Sequence, residues 1–248
     1  MTVPTLDATG KVVVVTGASK GLGRAMALGF AQAGADVVVA SRKLEACELV
    51  AEEIRATGRR ALAVRCHVGE WDQCATLIDA SVTEFGRIDV LVNNAGIAPV
   101  PPSLLEVTPE LFDKTIAVNL GGPLRLTALA AEHMAGGGSV INISSTASLH
   151  ATPFTVVYSA AKAGLNALTK AAATEYGPRG IRVNAIVCGT FHTDSFHHGK
   201  SPEMQAQMAT NVALRRIASA DEIVGTALFL ASDAASYLSG ELVVLDGG

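Results

Sequence analysis

Near-continuous apolar runs, rich in valine and isoleucine, recur along this chain, and stretches rich in alanine and leucine lie between them. The runs are Val12–Thr16, Asp36–Ala40, Ala61–Cys66, Val90–Asn93, Val140–Ser144, Arg182–Ile186 and Leu242–Leu245. A strand that is apolar at successive positions, rather than at alternate ones, has both faces covered, as in a parallel sheet between two helical layers. The helical stretches are about 22–33, 43–57, 71–85, 109–135, 157–177 and 220–231. Gly34, Gly58 and Gly86 stand just past three of them, where a helix takes a left-handed cap. Repeated strand–helix units predict an α/β fold with a doubly wound, parallel, seven-stranded sheet and right-handed crossovers. Residues 1–248 fit a single domain of this kind.

Composition narrows the function classes. Hydrophobic residues make up 49% and charged residues 17%, enough to bury a sizeable core. A net charge of −4 and 4% aromatics count against a nucleic-acid partner, which needs a basic stripe or a base-stacking surface. Cys47, Cys66, Cys74 and Cys188 are scattered and form no CxxC pair, so neither a disulfide framework nor a zinc site is expected. The start MTVPTLDATGK lacks the basic-then-apolar pattern of a signal peptide. No apolar run approaches the roughly 18 residues of a membrane span. A cytoplasmic protein is expected.

The strand KVVVVT runs into Gly17-Ala18-Ser19-Lys20-Gly21-Leu22-Gly23 and then a helix. Glycines so spaced allow a tight turn, close approach of backbone to a phosphate, and close packing of helix on strand. The helix start then offers N–H groups and a positive dipole end to a pyrophosphate. At the end of the second strand, where an acid would hold a ribose 2′-hydroxyl, the chain has Ser41 followed by Arg42 and Lys43. A guanidinium can clamp a 2′-phosphate, and Lys20 could add a second cation, so the pattern favours NADP(H). The plain alternative is that Arg42 and Lys43 are solvated residues at a helix start.

Tyr158 and Lys162 stand four apart and share a helix face. Tyrosine titrates near 10, and a neighbouring ammonium lowers that value toward proton exchange at neutral pH. Ser144 and Ser145 end the strand VINIS, at the carboxyl edge where ligands bind in such sheets. Asn93-Asn94-Ala95-Gly96 ends the fourth strand, and Asn119 lies inside the following helix, where asparagine is intrinsically unfavourable. Its alternative is a satisfied buried amide.

These motifs, in this order, resemble the short-chain dehydrogenase/reductase family over essentially the whole chain. The residues that carry the resemblance are TGASKGLG at 16–23, NNAG at 93–96, Asn119, Ser145, YSAAK at 158–162, GIRVNAI at 180–186 and LDGG at 245–248. The resemblance implies a Rossmann fold. It implies that Tyr158 is the general acid in reduction and the base in oxidation. Lys162 would lower the tyrosine pKa and bond the nicotinamide ribose, and Ser145 would orient the substrate carbonyl. Asn119 resembles the residue whose kinked helix holds a water in a proton relay. Cofactor contacts are implied for Gly17, Ser19, Lys20, Gly21, Leu22 and Gly23 in the turn, and for Ser41 and Arg42 after the second strand. They are implied also for His67 and Val68 after the third, for Asn94, Ala95 and Gly96 after the fourth, and for Gly189, Phe191 and Thr193 after the sixth. Tyr158 and Lys162 complete that set.

Two positions depart from the family pattern. Cys188 replaces the proline that usually precedes Gly189, which suggests a thiol near the nicotinamide, reactive unless burial makes it inert. His67 stands where an acid commonly contacts adenine, and a neutral imidazole can still stack or donate there. The polar, His-rich stretch from Gly189 to Leu214 breaks the strand–helix rhythm and is expected to be a substrate loop or lid at about 189–214, the alternative being a plain surface loop. Thr146, His150, Phe154, Thr190 and Phe191 would line a substrate pocket with the lid. Arg125 and Arg179 would serve an acidic carrier protein or, more simply, be solvated. His150, His192, His197 and His198 are not read as a metal site, because no carboxylate completes one at good spacing.

The function these features imply is an NADPH-dependent ketone reductase, similar to 3-oxoacyl-carrier-protein reductases and carbonyl reductases. A variant is an NADP-linked polyol or sugar-acid dehydrogenase, and the alternative from another class is a non-catalytic NADP(H) sensor. The joint presence of Asn119, Ser145, Tyr158 and Lys162 favours an enzyme acting on a small-molecule ketone or alcohol. The family resemblance also implies a homotetramer or homodimer built on the helices near 109–135 and 157–177, the second of which is rich in alanine.

Overall fold

The computed structural model describes residues 5–150, 153–193 and 201–248. Seven strands form one parallel sheet: β1 (Val12–Thr16), β2 (Asp36–Ser41), β3 (Ala61–Arg65), β4 (Val90–Asn93), β5 (Gly138–Ser145), β6 (Ile181–Cys188) and β7 (Leu242–Leu245). Their order is β3-β2-β1-β4-β5-β6-β7. The helices are α1 (Gly21–Gln32), α2 (Leu44–Ala56), α3 (Trp71–Phe85), α4 (Pro109–Ile116), α5 (Gly122–Ala131), α6 (Val156–Tyr176), α7 (Pro202–Thr210) and α8 (Ile223–Ala231).

Alternation along the strands explains why the apolar runs are unbroken. Val13, Val15, Val37 and Val39 pack with Met26 and Phe30 of α1, Ile54 of α2 and Ile223 and Leu230 of α8. Val14, Val38, Val140 and Val183 point the other way, against Leu77 and Ile78 of α3, Leu126 of α5 and Ala172 of α6. Each fully buried aliphatic side chain contributes about 1.5–3 kcal/mol relative to exposure. In the central strands both faces thus draw on successive residues, and a polar residue there is costly unless it is hydrogen-bonded.

Two stretches differ from the sequence reading. The helix expected over 109–135 is broken into α4, a π turn at Ala117–Gly121, and α5, which ends at Ala131. Pro123 has no N–H to return to the carbonyl of Asn119, and Gly122 N–H instead bonds back five residues to Ala117 O. The region expected to be loop or lid at 189–214 contains α7, capped where Ser201 Oγ accepts from Met204 N at 3.3 Å, with Pro202 in its first turn. Residues 194–200 of that region, including His197 and His198, lie outside the described residues. The two ends of the excursion meet: His192 N donates to Ala218 O at 2.8 Å and Ala218 N to Thr190 O at 3.3 Å. No helix among the described residues is long and apolar enough to cross a membrane.

Candidate active site

The strand order places β1 beside β4, so the chain leaves the sheet in opposite directions on either side of that pair. The glycine-rich turn after β1 and the NNAG segment after β4 meet at this switch point. Thr16 Oγ1 accepts from Asn94 N at 3.0 Å and Ala95 N at 3.1 Å, and Asn94 Nδ2 donates to Thr16 O at 2.8 Å and Gly17 O at 3.2 Å. Asn94 therefore braces the turn with its side chain. Gly17 has a φ of +64°, and a Cβ there would stand 2.9 Å from Asn94 Nδ2 and Ala95 Cα. At Gly23 a Cβ would meet Gly17 O at 2.4 Å. A side chain at either glycine would fill the cradle.

Lys20 is the N-cap of α1, with no side-chain cap bond and no acid in the first turn. The helix start accordingly keeps its dipole and N–H groups for an anion, and the cradle fits the pyrophosphate of a dinucleotide. Ser19 and Leu22 lie within the same turn and first helical residues. Thr193 comes over this turn from the far side: a Cβ on Gly21 would lie 3.4 Å from its Cγ2. Gly189 is packed on Asp246, whose Cα would stand 2.6 Å from an added Cβ. Phe191, expected to line the ligand pocket, is largely buried with α8 residues and also borders a cavity beside Thr190 and Leu214. Its ring anchors the loop, because a bulky apolar side chain gains more by leaving water than by lining an open edge.

The ends of β2 and β3 carry the residues expected to contact adenosine. Ser41 is buried, with its Oγ 3.0 Å from Cys47 Sγ, whereas Arg42 and Lys43 are exposed just before α2. Arg42 and Lys43 enter no ion pair among the described residues. Arg65, which the sequence reading passed over, is exposed and paired with Ser41 in the ladder. Its signal was a lone charge near the end of the apolar run Ala61–Cys66, beside the end of β2. His67 Nδ1 accepts from Gly69 N at 3.2 Å, so the neutral ring carries its proton on Nε2. Val68 turns its side chain into the core.

Three side chains converge at the ends of β5 and α6. The Ser145 hydroxyl is close enough to the Tyr158 hydroxyl to favour its phenolate. Lys162, buried one turn along α6, donates from Nζ to Ile143 O at 2.6 Å and lies 5.8 Å from the centroid of the Tyr158 ring. Burial pushes the Tyr158 phenol up, the Ser145 hydroxyl offsets part of this, and Cys188 adds to the rise. Burial thus dominates in the cofactor-free protein, and Lys162 gives only one of its three ammonium protons to the Ile143 carbonyl. The phenol is held protonated at neutral pH, as a proton donor must be.

Burial lowers Lys162 to about 8, with Cys188 acting in the opposite direction. Its folded value is below the unfolded one of about 10.4, so the charged form is disfavoured by folding. That cost is complete below about pH 8 and fades as pH rises toward the unfolded value. Lys162→Met is therefore expected to raise the melting temperature of the cofactor-free protein at pH 7. The gap to wild type should shrink by pH 10, and activity should be lost. Thermal melts across that range test it; a variant less stable at pH 7 contradicts it.

Asn119 occupies the π turn and is fully bonded. Its Nδ2 donates to Ile97 O and Thr115 O, both at 2.9 Å, and its Oδ1 accepts from Ile97 N at 3.2 Å. The amide clips the segment after β4 to α4. Gly96 lies between this side chain and the lysine, since an added Cβ would be 2.9 Å from Asn119 Oδ1 and 3.7 Å from Lys162 Nζ.

Cys188 ends β6 opposite Ser145 and is buried. Burial pushes its thiol up to about 12, and the nearby Lys162 only partly opposes this. The thiol stays protonated, which removes the support for a reactive cysteine. Iodoacetamide at pH 7.5 is expected to leave activity intact and Cys188 unlabelled by peptide mass; loss of activity that NADPH prevents would overturn this. Thr146 and Thr190 are half-buried near the site, and His150 and Phe154 are exposed beside it. Arg125 is half-buried and stacks over Trp71 at 5.3 Å. Arg179 pairs with Glu132 at 2.8 Å before β6, at the opposite edge of the sheet.

A family model described as enoyl-(acyl carrier protein) reductase matches residues 17–248. The chain is 41% identical to an L-rhamnose 1-dehydrogenase (NAD(P)(+)) of Azotobacter vinelandii, over 96% of each chain. It is 38% identical to the 3-oxoacyl-(acyl-carrier-protein) reductase FabG of Staphylococcus aureus, over 96% of this chain and 97% of that protein. A solved short-chain type dehydrogenase/reductase from Mycobacterium marinum superimposes with a TM-score of 0.92 at 36% identity, covering 98% of this chain and 96% of that one. Likeness of sequence and of fold thus runs almost end to end, and the chain belongs to the short-chain dehydrogenase/reductase family, oxidoreductases that interconvert alcohols and carbonyl compounds with a nicotinamide cofactor.

Proposed function

We propose that this protein is an NADPH-dependent reductase that converts a ketone to a secondary alcohol. The observation that carries the reading is the convergence of Tyr158 and Ser145 with buried Lys162, whose Nζ lies 5.8 Å from the centroid of the Tyr158 ring. The β1–β4 edge would hold NADPH, which would supply the hydride for the carbonyl carbon. Ser145 holds the carbonyl oxygen through its hydroxyl. Tyr158 donates its proton to that oxygen as negative charge develops there, and Lys162 then stabilises the phenolate left behind. In the reverse direction Tyr158 is the base. Gly17, Ser19, Gly21, Leu22 and Gly23 cradle the phosphates, while Arg42, with Lys20 and Arg65 nearby, meets the 2′-phosphate. Asn119, Asn94, Ala95 and Gly96 shape the nicotinamide side, with Gly189 and Thr193 above. Ser41, His67 and Val68 frame the adenosine.

The segment at about 189–214 is proposed as the substrate-facing wall, with Thr146, His150 and Phe154 opposite. Residues 189–214 contain no arginine, which suits an uncharged ketone or a thioester's keto group. A second reading, an NADP-linked polyol or sugar dehydrogenase, draws on the rhamnose dehydrogenase relative. We also propose a cytoplasmic homotetramer or homodimer, because Ala160, Ala163, Ala167 and Ala171 form an exposed small-residue stripe along α6. Loss of NADPH absorbance with an acetoacetyl thioester, an α-diketone, an aryl ketone and a keto-sugar acid tests the function, with NADH in parallel. Turnover with NADPH supports it. Tight NADPH binding with silence across the panel points to the sensor instead.

A further inference from the structure

The inward face of α6 is polar where a buried helix is ordinarily apolar. Lys162, Asn166 and Thr169 succeed one another along it, and all three are buried. Each is tied to β5: Lys162 to Ile143 O, Asn166 to Ser144, and Thr169 to Asn142. The proposed proton chemistry uses only the first. Asn166 has one further bond that reaches the reacting groups.

Both ends of the Asn166 amide are engaged. Its Oδ1 accepts from Ser144 Oγ at 2.7 Å, and its Nδ2 donates to Ser148 Oγ at 2.8 Å. Ser148 Oγ in turn donates to Ser145 O at 2.6 Å. The serine has one proton, already placed on that carbonyl, so it must receive a donor from Asn166, and this fixes which way the amide faces. The turn that Ser148 closes also contains the bond from Ala147 N to Ser145 Oγ, at 3.2 Å. A directed chain therefore runs from Asn166 through Ser148 to the backbone of Ser145, whose hydroxyl meets Tyr158.

We propose that Asn166 is a positioning residue for the reaction, holding the Ser145 hydroxyl in register with Tyr158 through Ser148. This rests on the reading of Ser145 as the group that orients the carbonyl. An asparagine in mid-helix competes with the helix backbone and is unfavourable there unless its amide is wanted. Here it supplies what no aliphatic residue can, an acceptor for one serine and a donor for another. The link acts on direction rather than on binding, because neither Asn166 nor Ser148 belongs to the cofactor cradle.

The test uses Asn166→Leu, Ser148→Ala, their double variant and Ser148→Thr, which keeps the hydroxyl. Each removal is expected to lower kcat ~10- to 100-fold, as for a misplaced reacting group, with the ketone KM and the NADPH Kd within about twofold. The double variant should be no worse than the poorer single, because both cut one chain. Ser148→Thr should keep most of the rate. Amide hydrogen exchange at Ala147 supplies a readout free of turnover: protection should fall in the two removals and persist in Ser148→Thr. Where Asn166→Leu does not fold, Ser148→Ala carries the test by itself. Wild-type kcat and unchanged Ala147 protection in Ser148→Ala overturn the proposal, as do losses that multiply in the double variant. A wild-type protein silent on every ketone counts against the proposed function, and the exchange measurement then still decides the link.

Discussion

Tyr158→Phe is expected to lower kcat by about 10²- to 10⁴-fold, the range spanned by general acid–base catalysis. NADPH affinity should stay within about twofold, because the ring, its packing and Lys162 remain in place. The substitution removes one oxygen. Without it the developing alkoxide finds no proton donor at Ser145, whose hydroxyl titrates far too high to replace a phenol. Burial holds the phenol protonated at neutral pH, so the wild-type rate of ketone reduction should fall only on the alkaline side, where that proton is lost. Stopped-flow absorbance with saturating NADPH measures the effect. A variant as active as wild type removes Tyr158 from the chemistry and with it the proposed mechanism.

The second large effect is at the residues proposed to frame the adenosine. Arg42→Ala should weaken NADPH binding by about 1.5–3 kcal/mol, the worth of hydrogen bonds to a charged group, or roughly 10- to 150-fold in Kd. NADH binding should barely change, since it has no 2′-phosphate to meet the guanidinium. Ser41→Asp should go further, adding repulsion toward the phosphate and an acceptor for a free 2′-hydroxyl. The two changes together are expected to invert the ratio of kcat/KM for the two cofactors. Titration of intrinsic fluorescence with each dinucleotide separates binding from turnover. A wild-type preference for NADH, or an Arg42→Ala variant that loses both cofactors equally, contradicts the assignment.

How far these features were legible in the sequence depends on where their physics resides. Strand positions were readable because each valine of VVVVT is buried on one face or the other, leaving an uninterrupted apolar run. The glycine turn was readable because at Gly17 and Gly23 backbone and amide atoms stand where a Cβ would go. The π turn was not, since it arises from Pro123 falling where a helical N–H was needed, and proline near a helix start usually signals a beginning. α7 was missed because PEMQAQMAT buries no residue and so shows no apolar stripe, although Ser201-Pro202 announces its start. The direction of the Tyr158 shift could not be read from a YxxxK spacing. Spacing places the lysine on the right face, but burial sets the direction. Asn166 was passed over for a similar reason, because its partners Ser144 and Ser148 lie on the strand end and the turn beyond it.

The joined ends of the excursion after β6 bear on how such a chain can diversify. Because Thr190, His192 and Ala218 hold the two ends together by main-chain bonds, the closure does not depend on which residues lie between. Lengthening a closed loop twofold adds only about 0.6 kcal/mol of entropy. If the segment borders substrate as proposed, insertions and deletions between Thr193 and Ile217 alter what the protein admits while Phe191 stays seated in the core. Selection on substrate range and selection on the proton machinery can then proceed almost independently, and new specificities are expected to be reached by changes in loop length as readily as by point substitution.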